Sequence, residues 1–335
     1  MFRLFTCITI VVIFFGGCTN TIGTWENDQI DPRKRETIKE LNTKLLKAIA
    51  ANDVDAVNEF LSDTLRKAPR NTIPDIVSTM APRIDTVKFY TLEEFNGVSI
   101  KAHAPVNLYG RGVAENAYDI SLIALNREIY LSVLVVESKE GNVMALIAWG
   151  KYAKGYKINI LRFGNYQLYG HTGPEYLAMA EVDHGTGNLI NAMMNVSLAS
   201  QLMEPAGSIF NYECKDKVKG IYDKIMDDTK AAYQLPITIN NIGSKPRIFS
   251  IKTEIANEGY FPRITYLSTI RLKDTTALRW EYESLRKEMP DTFKGINTGK
   301  RWVIYDVVNR VSEDDDSVPT YRFIDKRLDE EAAEE

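Results

Sequence analysis

The feature that most constrains this chain is a pair of apolar runs, Ile129 to Val136 and Val143 to Trp149, rich in β-branched side chains and separated by the turn sequence Glu140-Gly141-Asn142. Ala153-Lys154-Gly155 then turns the second run into Lys157 to Arg162, and Asn165 to Tyr169 makes a last short strand. Strands joined by turns this short must run antiparallel, so the region predicts a meander. Segments 86 to 92 and 117 to 125 read as earlier strands of the same region.

Ahead of the strands the apolar period is helical. Ile38, Leu41, Leu45 and Ile49 recur at three or four residues, and Asp31-Pro32 supplies an N-cap followed by the proline favoured in a first turn. A second helix starts at Asn52-Asp53, with Val54, Val57, Phe60, Leu61 and Leu65 on one face, and a short third element follows Asn71 before Pro82.

The N-terminus reads as an export signal. Met-Phe-Arg precedes the apolar run Leu4 to Phe15, which is too short for the roughly 20 residues that cross a bilayer, and Gly16-Gly17-Cys18 follows. Phe15-Gly16-Gly17-Cys18 resembles the lipobox of bacterial lipoproteins. That resemblance implies cleavage after residue 17, acylation of Cys18 and anchorage in the bilayer, with two or more chains making the anchor firm. Residues 18 to 31 are polar and read as a tether. The residues just after Cys18, Thr-Asn-Thr-Ile-Gly, lack the acidic cluster that sends some lipoproteins to the outer cell surface, which favours an outer-membrane position facing the periplasm. Of the three cysteines, Cys7 leaves with the signal and Cys18 takes lipid, so Cys214 has no disulfide partner.

Helices followed by a long-stranded meander resemble the NTF2-like fold, in which a bent sheet wraps around the first helix to form a cone. The resemblance covers residues 32 to 170, and it rests on element order and on Ile147-Ala-Trp-Gly-Lys-Tyr to Asn159-Ile-Leu-Arg-Phe-Gly. It implies a pocket with Trp149, Tyr152, Tyr156 and Tyr166 at its mouth, although strand aromatics commonly fill cores. Enzymes of that superfamily place a base inside the cone. Asp119, Glu128 and Glu137 lie on or beside candidate strands, and nothing in the sequence sets them apart from surface carboxylates.

Residues 171 to 235 predict a helical linker region. Thr172-Gly173-Pro174-Glu175 starts one helix, His184-Gly-Thr-Gly187 turns into a second that ends at Glu204-Pro205, and Lys215 starts a third. Tyr176, Ala180, Ala192, Val196, Ala199 and Pro205 fall near tetratricopeptide-repeat positions. No second copy follows, so this is a repeat-like helical pair. His171, Glu175 and Asp183-His184 form the nearest approach to a metal set, with spacing that fits no zinc motif. Residues 236 to 328 predict a small antiparallel sheet domain in the order β-β-β-α-β-β, its helix capped by Asp274 and closed by Pro290. An acidic tail covers 329 to 335.

The expected class is therefore α+β. A net charge of -4 without a basic cluster in the linear sequence argues against a nucleic-acid partner, and no cofactor or metal motif is present. Two functional readings follow. The first is a non-catalytic envelope lipoprotein that binds the bilayer through acylated Cys18 and offers its surface to a protein or peptide. The alternative is a small-ligand binder or acid/base enzyme using the cone.

Overall fold

A computed structural model describes residues 22–69, 72–84, 87–110, 116–139, 141–311 and 318–326. The signal sequence and Cys18 lie outside the described residues, as does the acidic tail.

The chain opens with strand β1 (Gly23–Glu26) and helices α1 (Pro32–Ala50), α2 (Val54–Phe60), α3 (Asp63–Arg66) and α4 (Ile73–Met80). Strands β2 (Phe89–Val98), β3 (Ala104–Gly110), β4 (Tyr118–Ala124), β5 (Glu128–Val136), β6 (Val143–Tyr152) and β7 (Gly155–Asn165) follow. A two-residue pair, β8 (Gln167–Leu168) and β9 (His171–Thr172), leads to α5 (Gly173–Thr186), α6 (Leu189–Leu202), β10 (Phe210–Tyr212) and α7 (Lys215–Ala232). The last part holds β11 (Ile237–Thr238), β12 (Arg247–Ala256), β13 (Gly259–Leu267), α8 (Thr275–Thr292), β14 (Trp302–Val308) and β15 (Tyr321–Lys326).

The architecture is mixed α+β. The central sheet has the order β1-β2-β5-β6-β7 and is antiparallel throughout. Its strands present alternate residues to its two faces. On one face Tyr130, Leu134, Ala145, Ile147 and Trp149 pack against Ile38, Leu45, Leu46 and Ile49 of α1 and Val57 of α2. On the other, Leu131, Val133, Val135, Met144 and Leu146 meet the small sheet β10-β4-β3 and the helices α5 to α7. Both faces are covered, which is why β5 and β6 read as continuous apolar runs.

Local signals set the element ends. The Asp31 side chain accepts from the Arg33 amide at 2.8 Å with Pro32 beside it, and Thr172 and Glu175 close a capping box on α5. The α5–α6 hairpin buries the small and aromatic residues of the repeat-like pattern, with Tyr176, Ala180, Ala192, Val196 and Ala199 all inaccessible.

Several expectations are corrected. The stretch read as a tether is not uniformly loose: Gly23–Glu26 adds to the free edge of β2, with Gly23 opposite Val98 and Glu26 opposite Phe95. Strand β3, unforeseen, pairs with β4. The C-terminal sheet, order β11-β12-β13-β14-β15, is not purely antiparallel. Strands β13 and β14 pair in parallel, because α8 carries the chain back across the sheet between them. Helix α8 also runs through Pro290 to Thr292 instead of stopping there.

Candidate functional site

The four aromatic residues expected at one mouth are not gathered. Trp149 is fully buried beneath α1, where its Nε1–H donates to Asn42 Oδ1 at 2.9 Å and the Asn42 amide donates to Ser132 Oγ at 3.0 Å. Phe60 of α2 meets its ring edge-on at 6.3 Å. A chain of three polar groups thus satisfies an indole that fills the space between helix and sheet. Tyr166 lies on the opposite face of the sheet in the other core, where burial pushes its phenol well above the ordinary range. The Tyr152 hydroxyl donates to Asn159 Oδ1 at 2.8 Å, outside that core.

Tyr156 does line a concavity. An open groove of about 730 Å³ runs between the start of α1, the end of α2 and the β6–β7 hairpin. Leu41, Phe60 and Tyr156 supply its apolar surface. Arg33, Lys34, Lys151, Lys154 and Lys157 line it against two carboxylates, Asp31 and Glu59. Position explains this clustering. Lysines at 151, 154 and 157 flank the turn that joins β6 to β7, while residues 33 and 34 open α1 above the same sheet end.

Glu128 is the organising carboxylate. It accepts from Lys34 Nζ at 2.7 Å and from the Tyr156 hydroxyl at 3.1 Å, and Lys34 also donates to Asn96 Oδ1 at 2.7 Å. Burial raises its pKa, but the Lys34 bond and charge, the Tyr156 hydroxyl and the Lys151 charge outweigh that and hold it below the usual carboxylate range. The same contacts, after burial, push Tyr156 upward. Lys151 Nζ sits 4.4 Å from the Tyr156 ring centre. Glu128 is therefore an ionised, spent group that fixes Lys34 and Tyr156, not a base waiting for a proton. Among the described residues neither Lys151 nor Lys154 forms an ion pair.

Other candidate groups have separate partners. Asp119 accepts from Asn211 and Ser121, and Glu137 lies 4.0 Å from Lys88 at the far end of β5. His171 stands 3.8 Å from Glu175 while His184 pairs with Asp228 at 2.8 Å, which splits the metal-like set. Burial pushes the Cys214 thiol up, away from reactivity, and its Sγ lies 3.9 Å from Met203 Sδ.

Two groups of residues escaped the sequence. Glu93 and Glu94, adjacent on β2, point to opposite faces: Tyr118 donates to Glu93 at 2.7 Å, while Tyr130 and Arg35 donate to Glu94. Two adjacent acids between Leu92 and Phe95 in an apolar strand were the available signal. At the joint with the C-terminal sheet, Lys300 Nζ lies 3.6 Å from the Tyr260 ring centre, the Tyr260 hydroxyl donates to Asn195 at 2.7 Å, and Asn195 donates to Asp183 at 2.8 Å. Burial lowers Lys300 to about 8 against the opposing pull of Asp183. Nothing in the sequence around Lys300 marked it.

Comparison with known proteins gives no match to a family model, a curated protein or a solved structure.

Proposed function

We propose that this chain is a lipid-anchored protein of the bacterial envelope, held by acylated Cys18 on the periplasmic face of the outer membrane, and that it works by binding and not by catalysis. The single observation that carries the binding reading is the closed interior. Trp149, its Nε1–H bonded to Asn42, which in turn donates to Ser132, is fully buried and fills the space between α1 and the sheet where a cone would hold a ligand. We place the binding chemistry at the rim, in the basic groove.

The anchor reading draws on the order of basic residue, apolar run, two glycines and cysteine over residues 1 to 18. Among the described residues no helix is long and apolar enough to cross a membrane, which is compatible with attachment through lipid. The NTF2-like reading of residues 32 to 170 rests on the order of helices and antiparallel strands alone, a likeness of fold.

Replacing Cys18 with Ser tests the anchor. The wild-type chain should pellet with membranes and be released by detergent, whereas C18S should remain in the aqueous fraction. Unchanged membrane retention of C18S would overturn lipidation.

A further inference from the structure

We propose that one end of the central sheet lies flat against the bilayer that carries the anchor, its lysines on anionic lipid headgroups and two exposed isoleucines in the interface. This deepens the lipoprotein reading and rests on it for the anchor, but it concerns a different surface and fails separately.

Strand register defines the end. Gly23 is opposite Val98, Val98 is opposite Glu128, Ile129 is opposite Gly150, and Gly150 is opposite Lys157. These residues form a row across the sheet, and every loop beyond them leaves on the same side. Those loops carry Ile100 and Lys101 after β2, Arg127 before β5, and Lys151 and Lys154 in the β6–β7 hairpin. The described chain also starts there, at Ile22.

Three observations select the bilayer as occupant. First, Ile22 stands four residues after Cys18, and a fully extended chain gains about 3.5 Å per residue, so an acylated Cys18 cannot lie farther than about 17 Å from Gly23. A long tether would let the body tumble, but one this short brings the row to the headgroups. Second, the charge is complementary. The groove at this end is lined by five cationic side chains against two carboxylates, with Glu128 behind it taken up by Lys34, in a protein whose net charge is -4, and lysines near an anionic membrane surface each contribute about 1 kcal/mol, or about fivefold in partitioning. Third, Ile22 and Ile100 are 58% and 73% exposed at the rim of an apolar hollow of about 480 Å³ formed with Val98, Ala104, Val106 and Ile129. Exposed isoleucines beside lysines suit the boundary between headgroup and acyl chain.

The protein purified from membranes is reconstituted into vesicles of phosphatidylethanolamine and phosphatidylglycerol, with Cys214 replaced by Ser and a fluorophore on Ala153→Cys or on Glu137→Cys. Ala153 is exposed at the proposed contact and Glu137 is exposed at the opposite end of the sheet. Quenching by headgroup-labelled lipid should be at least about twofold stronger at 153, and the contrast should collapse in K151E/K154E/K157E and shrink with added salt as screening shortens. If the triple variant unfolds, Ile100→Ser should weaken the contrast without touching a charge. Equal quenching at the two positions overturns the contact, whether or not Cys18 is acylated; the mass of the N-terminal peptide reports acylation independently. Shielding of position 153 that persists in detergent would place a protein there and overturn the bilayer as occupant.

Discussion

The two five-stranded sheets of this protein solve the same packing problem differently. The central sheet is covered on both faces, by α1, α2 and α4 on one side and by a second sheet with α5 to α7 on the other. The C-terminal sheet is covered on one face by α8, through Leu278, Tyr282, Leu285 and Met289. Its other face is closed by side chains of its own strands: Trp302 stacks on Phe261 at 4.9 Å, and Arg322 grips Asp306 through two bonds of 2.7 and 2.9 Å while Arg263 reaches Glu254 at 3.2 Å. A sheet buried twice can be apolar throughout. One buried once must alternate in burial, as Tyr321–Lys326 does in β15, where Arg322, Ile324 and Lys326 are exposed between the covered Tyr321, Phe323 and Asp325.

A pair of tryptophans should reveal the difference most strongly. Trp149→Ala removes a fully buried ring and its hydrogen bond, at a cost of about 3–5 kcal/mol, whereas Trp302→Ala, on the partly exposed stack, should cost about 1–2 kcal/mol. Equal losses in denaturant unfolding would erase the distinction between the sheets. A smaller effect belongs to Arg322→Ala, which leaves the buried Asp306 with only a 3.9 Å contact to Arg263. Because Arg322 is itself 41% exposed, the expected loss is about 1–2 kcal/mol, below that of a fully buried pair. No loss would show that the strand stack alone closes this face.

The smallest effect lies where the two regions meet. Burial holds Lys300 at about 8 in the folded chain against an ordinary 10.5, so its charged form disfavours folding below pH 8 and the penalty fades as pH rises towards 10.5. Wild-type stability relative to Lys300→Met should therefore increase across that window. A difference in melting temperature that stays flat from pH 8 to 10 would mean that Lys300 is not desolvated.

The same contrast explains what could be read in advance. Helix α1, strands β5 to β7 and helix α8 were legible because each has a strong period or an unbroken apolar run bounded by turn residues. Strand β1 was not: four residues, Gly-Thr-Trp-Glu, carry no period, and only pairing with β2 makes them a strand. Strand β3 was hidden by Pro105 and Gly110 at its ends. The aromatic set was visible as residue types but not as positions. Alternation placed Trp149 and Tyr166 on opposite faces, and covering the sheet on both sides turned a supposed mouth into two cores. The basic groove was illegible because Arg33 and Lys157 are far apart in sequence and meet only when the β6–β7 hairpin folds beside α1.

Under the proposed anchorage, strand β1 also has a mechanical consequence. Its four residues lie antiparallel to β2 with Gly23 at the outer end, so a pull on that end along the strand axis would act at right angles to the hydrogen bonds. Such a pull would strain all the rungs of the β1–β2 ladder together in shear instead of peeling them one by one, so the seam would resist lengthening of the link to the anchor while the covalent chain carries the attachment itself.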